Sequence, residues 1–392
     1  MINPRVDQPQ QRSNQQDSKE SRVTNSTAPY KPQAEPTQTG KLIGLIVALI
    51  VTLEVYRRVF LFLRDGTDNP WVMFAVSLLW GIGGVWFLFV LTSSIVELFP
   101  IKWRTRVMPW VFVAPALAFV FYYLLIPTFR TIFFSFYDAT SVKFVGFENY
   151  QYAFTSPAML ESFRNNLAWL VFGGGLSVVL GLFIAALTDR TRPGFEVSVK
   201  TLVFLPMAIS MISASAIWRL MYAYNPGPAE TQIGLLNAVQ MALGGQNSIP
   251  WMLSKGLNTY LLIVILIWMQ TGFAVVVFSA AIKGVPSEML EAARIDGATE
   301  VQSFFRITVP VIQSTIVAVS TTILIGTLKV FDIVFGMTGG NFGTQIIANE
   351  QYVQTFRNFD YGRGSAVAIV LLLAVLPVVY YNIRDFAKDA KF

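Results

Sequence analysis

The 392-residue sequence contains no cysteine and no histidine. Disulfides, thiol nucleophiles, haem ligation, the usual zinc sites and any triad or proton relay built on imidazole are therefore excluded. Carboxylates, amides and hydroxyls remain. The carboxylates lie mostly in polar segments between long apolar runs, and no Gly-x4-Gly-Lys-Ser/Thr phosphate loop is present. Any nucleotide chemistry would fall to another chain. One polar segment, residues 283–313, differs from its surroundings: KGVPSEMLEAARIDGATEVQSFFRITVPVIQ. Pro286 and Ser287 mark a helix start, with Glu288 and Glu291 in the first turn, at the positive end of the dipole. Gly297 suits the left-handed position just past a helix end. Thr299 opens a second helix, and Gln302 completes a capping box. Pro310 begins the next apolar run. Ala292, Ala293 and Ala298 are small enough to let another surface approach the backbone. The segment reads as two short, well-capped helices joined at Gly297, suited to moving as a rigid body.

Eight long apolar stretches must position such segments: about 42–63, 71–98, 110–136, 167–187, 201–222, 260–282, 311–330 and 365–381. Each is near the ~20 residues a helix needs to cross the hydrocarbon core, where open strands are too costly. Apolar residues make up 54% of the chain and charged residues only 13%, against about 25% charged in soluble domains. The expectation is an all-α polytopic membrane protein with eight transmembrane helices, both termini cytoplasmic. With that orientation 18 Lys/Arg fall in inside segments and 5 in outside segments, as the positive-inside rule requires. The net charge of +6 is then a topology signal and calls for no nucleic acid. The first stretch carries Glu54, Arg57 and Arg58. It either tilts so that both arginines snorkel to the interface, or lies in the membrane plane. Residues 1–41, rich in Gln, Ser, Pro and Thr, read as a disordered tail. Pro115, Pro127, Pro206 and Pro377 fall within spans and predict kinks. Gly173, Gly174, Gly175, Gly181, Ala185 and Ala186 form a small-residue stripe for close helix packing.

Glu291-Ala292-Ala293, then Gly297 after three residues, then Ile307 and Pro310 after nine more, resemble the EAA loop of ABC importer permeases. Val309 stands where that pattern has Leu. The extension Ile295-Asp296-Gly297-Ala298 resembles the carbohydrate branch. Val145-Gly146-Phe147-Glu148-Asn149-Tyr150 is similar to a stretch after the first core span of sugar permeases, and Asn166 opens a span as it does there. Phe331-Asp332 and Met337-Thr338-Gly339-Gly340 resemble the maltose-type first permease. Residues 232–237, 267–274, 328–334 and 342–345 resemble its α-glucoside and glucosylglycerol subgroup.

The resemblance covers about 108–384. It implies a six-helix type I importer core over that range, with the coupling loop at 284–310. Two extra spans lie over 42–107, and a cytoplasmic tail over 385–392. It further implies that Glu291, Ala292, Ala293, Asp296, Gly297, Ile307 and Pro310 serve coupling to an ATPase. The implied partners are a second maltose-type permease, two ATPase subunits carrying ATP and Mg, and an external solute-binding protein. The chain would bind no cofactor itself and would lie in the cytoplasmic (inner) membrane.

A sugar pathway needs neutral amides, hydroxyls and aromatic faces at mid-membrane depth. On those grounds the candidates are Trp268, Gln270, Thr271 and Phe273, with Thr321, Thr322 and Thr327, and Ser210, Ser213 and Ser215. Counting from the EAA loop, the sugar contacts of the related maltose permease fall at Met269, Gln270, Phe273, Ile323 and Thr327. Most identities differ there, so maltose is disfavoured and a small glycoside such as glucosylglycerol, trehalose or sucrose is expected. Two alternatives stay open. An ion-driven secondary transporter predicts buried carboxylates and an internal repeat, neither of which is clear in the sequence. A structural membrane-assembly subunit would lack a pathway.

Overall fold

The computed structural model describes residues 38–66, 69–97, 101–226 and 233–389. Most of the tail expected over 1–41 lies outside these residues, as do Gln232 and the last three residues of the 385–392 tail. Among the described residues the chain is helical, and its sole β-type pairing is an isolated bridge between Tyr137 and Phe144. The chain divides into two units, Met1–Val120 and Phe121–Phe392.

In the first unit α1 (Gln38–Asp65) precedes α2 (Pro70–Glu97) and the helical stretch Ile101–Val120. Asn69 caps α2 by accepting the Trp71 N–H at 3.0 Å, and Pro70 sits where its missing N–H costs nothing. Tyr56 of α1 packs on Trp80 with ring centroids 4.4 Å apart, beside Gly84. Glu54 accepts from Arg57 at 2.7 Å and from Arg58 at 3.0 Å. The two arginines expected to snorkel are thus tied to a carboxylate one turn away on their own helix.

The helix α3 (Arg104–Phe134) begins in the first unit and ends in the second, where α4 (Glu148–Thr155) and α5 (Pro157–Thr188) follow. Then come α6 (Pro193–Ala208), α7 (Met211–Met221), α8 (Leu235–Ala242) and α9 (Leu257–Lys283). The EAA segment supplies α10 (Ser287–Ile295) and α11 (Glu300–Val311), and α12 (Gln313–Leu328) follows. Two short helices, α13 (Asp332–Met337) and α14 (Ile347–Tyr352), lead to α15 (Tyr361–Asp389). The boundary between the units falls inside α3. The centre of the second unit is α9: 56% of its most apolar window is buried, against 28% for α5 and 22% for α15.

The small-residue stripe explains how α5 reaches α9. A Cβ on Gly181 would collide with the Ala274 Cβ, and one on Gly173 would lie 2.9 Å from Leu266 Cδ2. Gly174 does the same towards α12, 2.9 Å from Leu324 Cδ2. The α5–α9 contacts run in step, so these two helices point the same way. Within α5 the stretch Trp169–Gly175 is a π-helix, a short widening in which each N–H reaches one residue further back than in an α-helix.

Among the described residues five helices are long and apolar enough to cross a membrane, or seven if each bent pair counts as one span. The count of eight is therefore not reproduced by length and composition; α1, with six charged residues, is not among the five. The stretch 201–222, a continuous span by hydropathy, is broken within its length, whereas 311–330 survives as α12 and is set off from α11 by a bend at Ile312. The α6–α7 pair bends by 104° and the α11–α12 pair by 73°. Pro206 lacks the N–H an α-helix needs and sits in a 3-10 turn, Leu205–Ala208. Ser210 then starts a new helix by accepting the Ser213 N–H at 3.1 Å. At the second break Pro310 ends the first limb instead of opening the span.

Candidate functional site

The EAA segment folds as its capping residues direct. α10 ends in a Schellman motif: the Ala298 N–H donates to Ala293 O at 2.9 Å and the Gly297 N–H to Arg294 O at 3.1 Å. Gly297 has φ +78°, a conformation that disfavours a Cβ. Thr299 accepts the Gln302 N–H at 3.3 Å, and Gln302 accepts the Thr299 N–H at 2.8 Å. The capping box is complete. Glu291, Ala292, Asp296, Gly297 and Pro310 are exposed, Ile307 is half-buried and Ala293 is buried. Met289, Ile295, Val301 and Phe305 also stand exposed, Ile295 at 86%. This small helix pair therefore presents an apolar surface outside the spans.

A charge cluster surrounds its attachment. Lys283, the last residue of α9, lies 2.6 Å from Glu196 and 3.9 Å from Asp189. Lys200 of α6 also contacts Glu196 and Ser279. Glu300 pairs with Arg294 at 3.2 Å and with Arg190 at 3.5 Å. These groups are absent from the sequence expectations. Glu196 and Lys200 stand four apart on one helix, a local pairing pattern, but Lys283 and Arg190 find their partners in distant parts of the chain.

The expected pathway residues fall on α9 and α12. Trp268 meets Trp218 of α7 edge-to-face, centroids 5.7 Å apart. Met269 is buried in the cluster around Trp169, Leu262 and Leu266. Phe273 packs against a second cluster that contains Ile323. Thr327 is fully buried, and its hydroxyl donates to Ile323 O at 2.8 Å. Thr271, Thr322 and Ser215 likewise bond to their own helices, and Ser210 and Ser213 bond to each other. Thr321 is buried. Gln270 is half-buried beside Gly326 of α12. Among the described residues its amide has no hydrogen-bond partner. The structure thus brings Phe273 and Ile323 together, and it commits most of the hydroxyls to their own backbones.

The opposite ends of α5 and α9 are held by buried amides. Asn166 donates to Leu328 O at 3.2 Å and accepts the Ile347 N–H at 2.9 Å. Asn165 donates to Gly343 O and Gln345 O, at 2.9 and 2.8 Å. Asn258 donates to Phe342 O at 2.9 Å. Asn149, from the Val145–Tyr150 motif, donates to Ser135 O and Tyr137 O, at 3.0 and 2.7 Å. Glu350, also buried, accepts from Tyr152, Gln345 and Gln354, at 2.6, 2.6 and 2.7 Å. Burial and the neighbouring Glu350 push the Tyr152 phenol up to about 12. Of these residues, only Asn149 and Asn166 stand out in the sequence; paired amides at a span entrance are the available signal for Asn165.

Membrane-length helices, a span broken at Pro206–Ser210 and a rigid capped helix pair set off from the next span by a bend define an integral membrane transport component. Residues 177–388 match the family described as binding-protein-dependent transport system inner membrane component. The chain belongs to that family: it is a non-catalytic permease subunit of an ABC importer, working with a separate ATPase. It is 51% identical over 280 residues to the osmoprotective compounds uptake permease protein GgtC of Synechocystis, covering 71% of this chain and 99% of that one. It is 45% identical to the alpha-glucoside transport system permease protein AglF of Rhizobium meliloti, over 72% of this chain and 83% of that one. The fold is shared with a bacterial alginate ABC transporter crystallised with an alginate-bound periplasmic protein. That match has a TM-score of 0.63 at 21% identity and covers 72% of this chain and 94% of that one.

Proposed function

We propose that this permease takes up a small neutral glycoside such as glucosylglycerol, trehalose or sucrose. An external solute-binding protein delivers the sugar, and a second maltose-type permease pairs with this chain around the pathway. Two ATPase subunits carrying ATP and Mg dock on the cytoplasmic side, one of them on α10. Both termini face the cytoplasm. Glu291, Ala292, Ala293, Asp296, Gly297, Ile307 and Pro310 form the coupling segment. Gln270, with Trp268, Met269, Phe273, Ile323 and Thr327, lines or supports the pathway. The observation that carries the reading is the α10–α11 pair. It is capped at its joint, placed outside the spans, and leaves Met289 and Ile295 exposed, with nothing among the described residues to cover them. The similarity to permeases named for osmoprotective compounds and alpha-glucosides supports the substrate class. Gln270 supports it too, because its half-buried amide keeps a donor and an acceptor free to meet a solute hydroxyl.

Two experiments test this. Glu291→Lys and Gly297→Asp should abolish ATPase assembly and sugar uptake, and uptake that survives both would remove the coupling role. Competition by a panel of glucosylglycerol, trehalose, sucrose and amino acids, in cells carrying the whole importer, tests the substrate. Inhibition by amino acids alone would overturn the sugar assignment.

A further inference from the structure

Resting on the coupling role of α10, we propose that Glu300 is a positioning residue: an ionic strut that carries the movement of the coupling helix to the end of α5 through Arg190. The two bodies are not pressed together. A cleft of about 500 Å³ lies there, bordered by Ala186 and Arg190 from the end of α5 and by Leu290, Arg294, Glu300 and Ser303 from the coupling segment. Ser303 Oγ, in its wall, is buried without a hydrogen-bond partner, and Asp189 Oδ1 has only the Lys283 ammonium at 3.9 Å. Ile282 and Phe304 also line the cleft, which mixes polar and apolar groups and is roomy enough for water, so packing across it is incomplete. Glu300 spans it. Its Oε1 pairs with Arg294 of α10 at 3.2 Å and its Oε2 with Arg190 at 3.5 Å. The capping box and the Schellman motif fix α10 against the start of α11, so Glu300 moves with the coupling helix. Among the described residues the strongest other links of α10 to the spans run through the chain itself, at Lys283 on one side and α11 on the other. The strut adds α5, the helix packed most closely on α9 through Gly173 and Gly181.

The side chains of Arg190 and Glu300 are 49% and 54% exposed. Pairs so exposed are individually weak and are screened as the Debye length falls from ~10 Å at 0.1 M salt to ~3 Å at 1 M. The strut therefore affects how ATP turnover is converted into transport, and it does so in a salt-dependent way.

The test uses the complete importer in proteoliposomes with its binding protein, and the sugar that the competition assay selects. Sugar transported per ATP hydrolysed is compared for wild type, Arg190→Gln, Glu300→Gln and the double variant. Each single variant should lower the ratio about two- to fivefold, with assembly retained. The double variant should be no worse than either single one, because the two residues act through each other. Raising the salt should bring the wild type towards the variants and leave the variants unchanged. Additive losses, a wild-type ratio in the variants, or equal salt responses would overturn the strut. A failure of Glu291→Lys to disturb assembly would instead overturn the coupling role beneath it.

Discussion

Asn166 shows how much one amide holds in place. Its donor serves the last carbonyl of α12, and its oxygen serves the first N–H of α14. Asn166→Ala leaves both partners buried and unpaired, at about 1–3 kcal/mol for each unsatisfied group. The purified complex should unfold at lower temperature in a thermal melt, and an unchanged melt would show that another group takes over. Tyr152 gives a pH signature. Its phenol is held neutral in the fold, up to about 12, against about 10 when unfolded. A raised folded value means that its stabilising contribution is complete below pH ~10 and is lost as pH rises through the folded value. Stability should therefore fall more steeply with pH above ~10 in the wild type than in Tyr152→Phe, which has no phenol to ionise there. Melts over a series of alkaline pH values, followed by helix content, compare the two slopes; parallel slopes would remove Tyr152 from the account.

Among the elements, α5 and α9 make the clearest case. Gly181→Ala forces a methyl into Ala274, and overpacking of this kind costs about 1–3 kcal/mol. Gly175→Ala meets only Leu170 O, at 3.9 Å, and should be tolerated or slightly stabilising through helix propensity. The pair of melts separates packing from propensity. Much of this level is legible in the sequence. The stripe of Gly and Ala announces close approach, and Pro286, Gly297, Thr299 and Gln302 announce the caps, because capping is a local exchange of hydrogen bonds between near neighbours. The kink at Pro206 is legible, because proline removes a helix N–H, but neither its 104° size nor the bend at Ile312 is, because an apolar window has the same hydropathy whether the helix is straight or bent. The Glu300–Arg190 pair and the Asn165 contacts are not legible for another reason: they join residues more than a hundred positions apart, and nothing local encodes the meeting.

For the molecule as a whole, the scarcity of charge inside the spans matches a path for an uncharged solute driven by another subunit. The pathway candidates are mostly amides, hydroxyls and aromatics. Uptake in whole cells should stop on ATP depletion and should withstand dissipation of the H⁺ or Na⁺ gradient while ATP is maintained. The reverse pattern would favour ion coupling. The first unit, with its Glu54–Arg57–Arg58 group, contributes no residue to the proposed coupling or pathway. The family match, beginning at residue 177, also lies outside it.

The long-range amides also set a timetable. Ile347 is made 181 residues after Asn166. At about 5–20 residues per second of synthesis, that is a wait of roughly 10–40 s. During that time α5 is already inserted, with its entrance amide unanswered. A nascent chain stalled before residue 347 should carry an α5 that is open to protease or to a membrane chaperone. The same helix should become resistant only when the ribosome has delivered the segment that closes it.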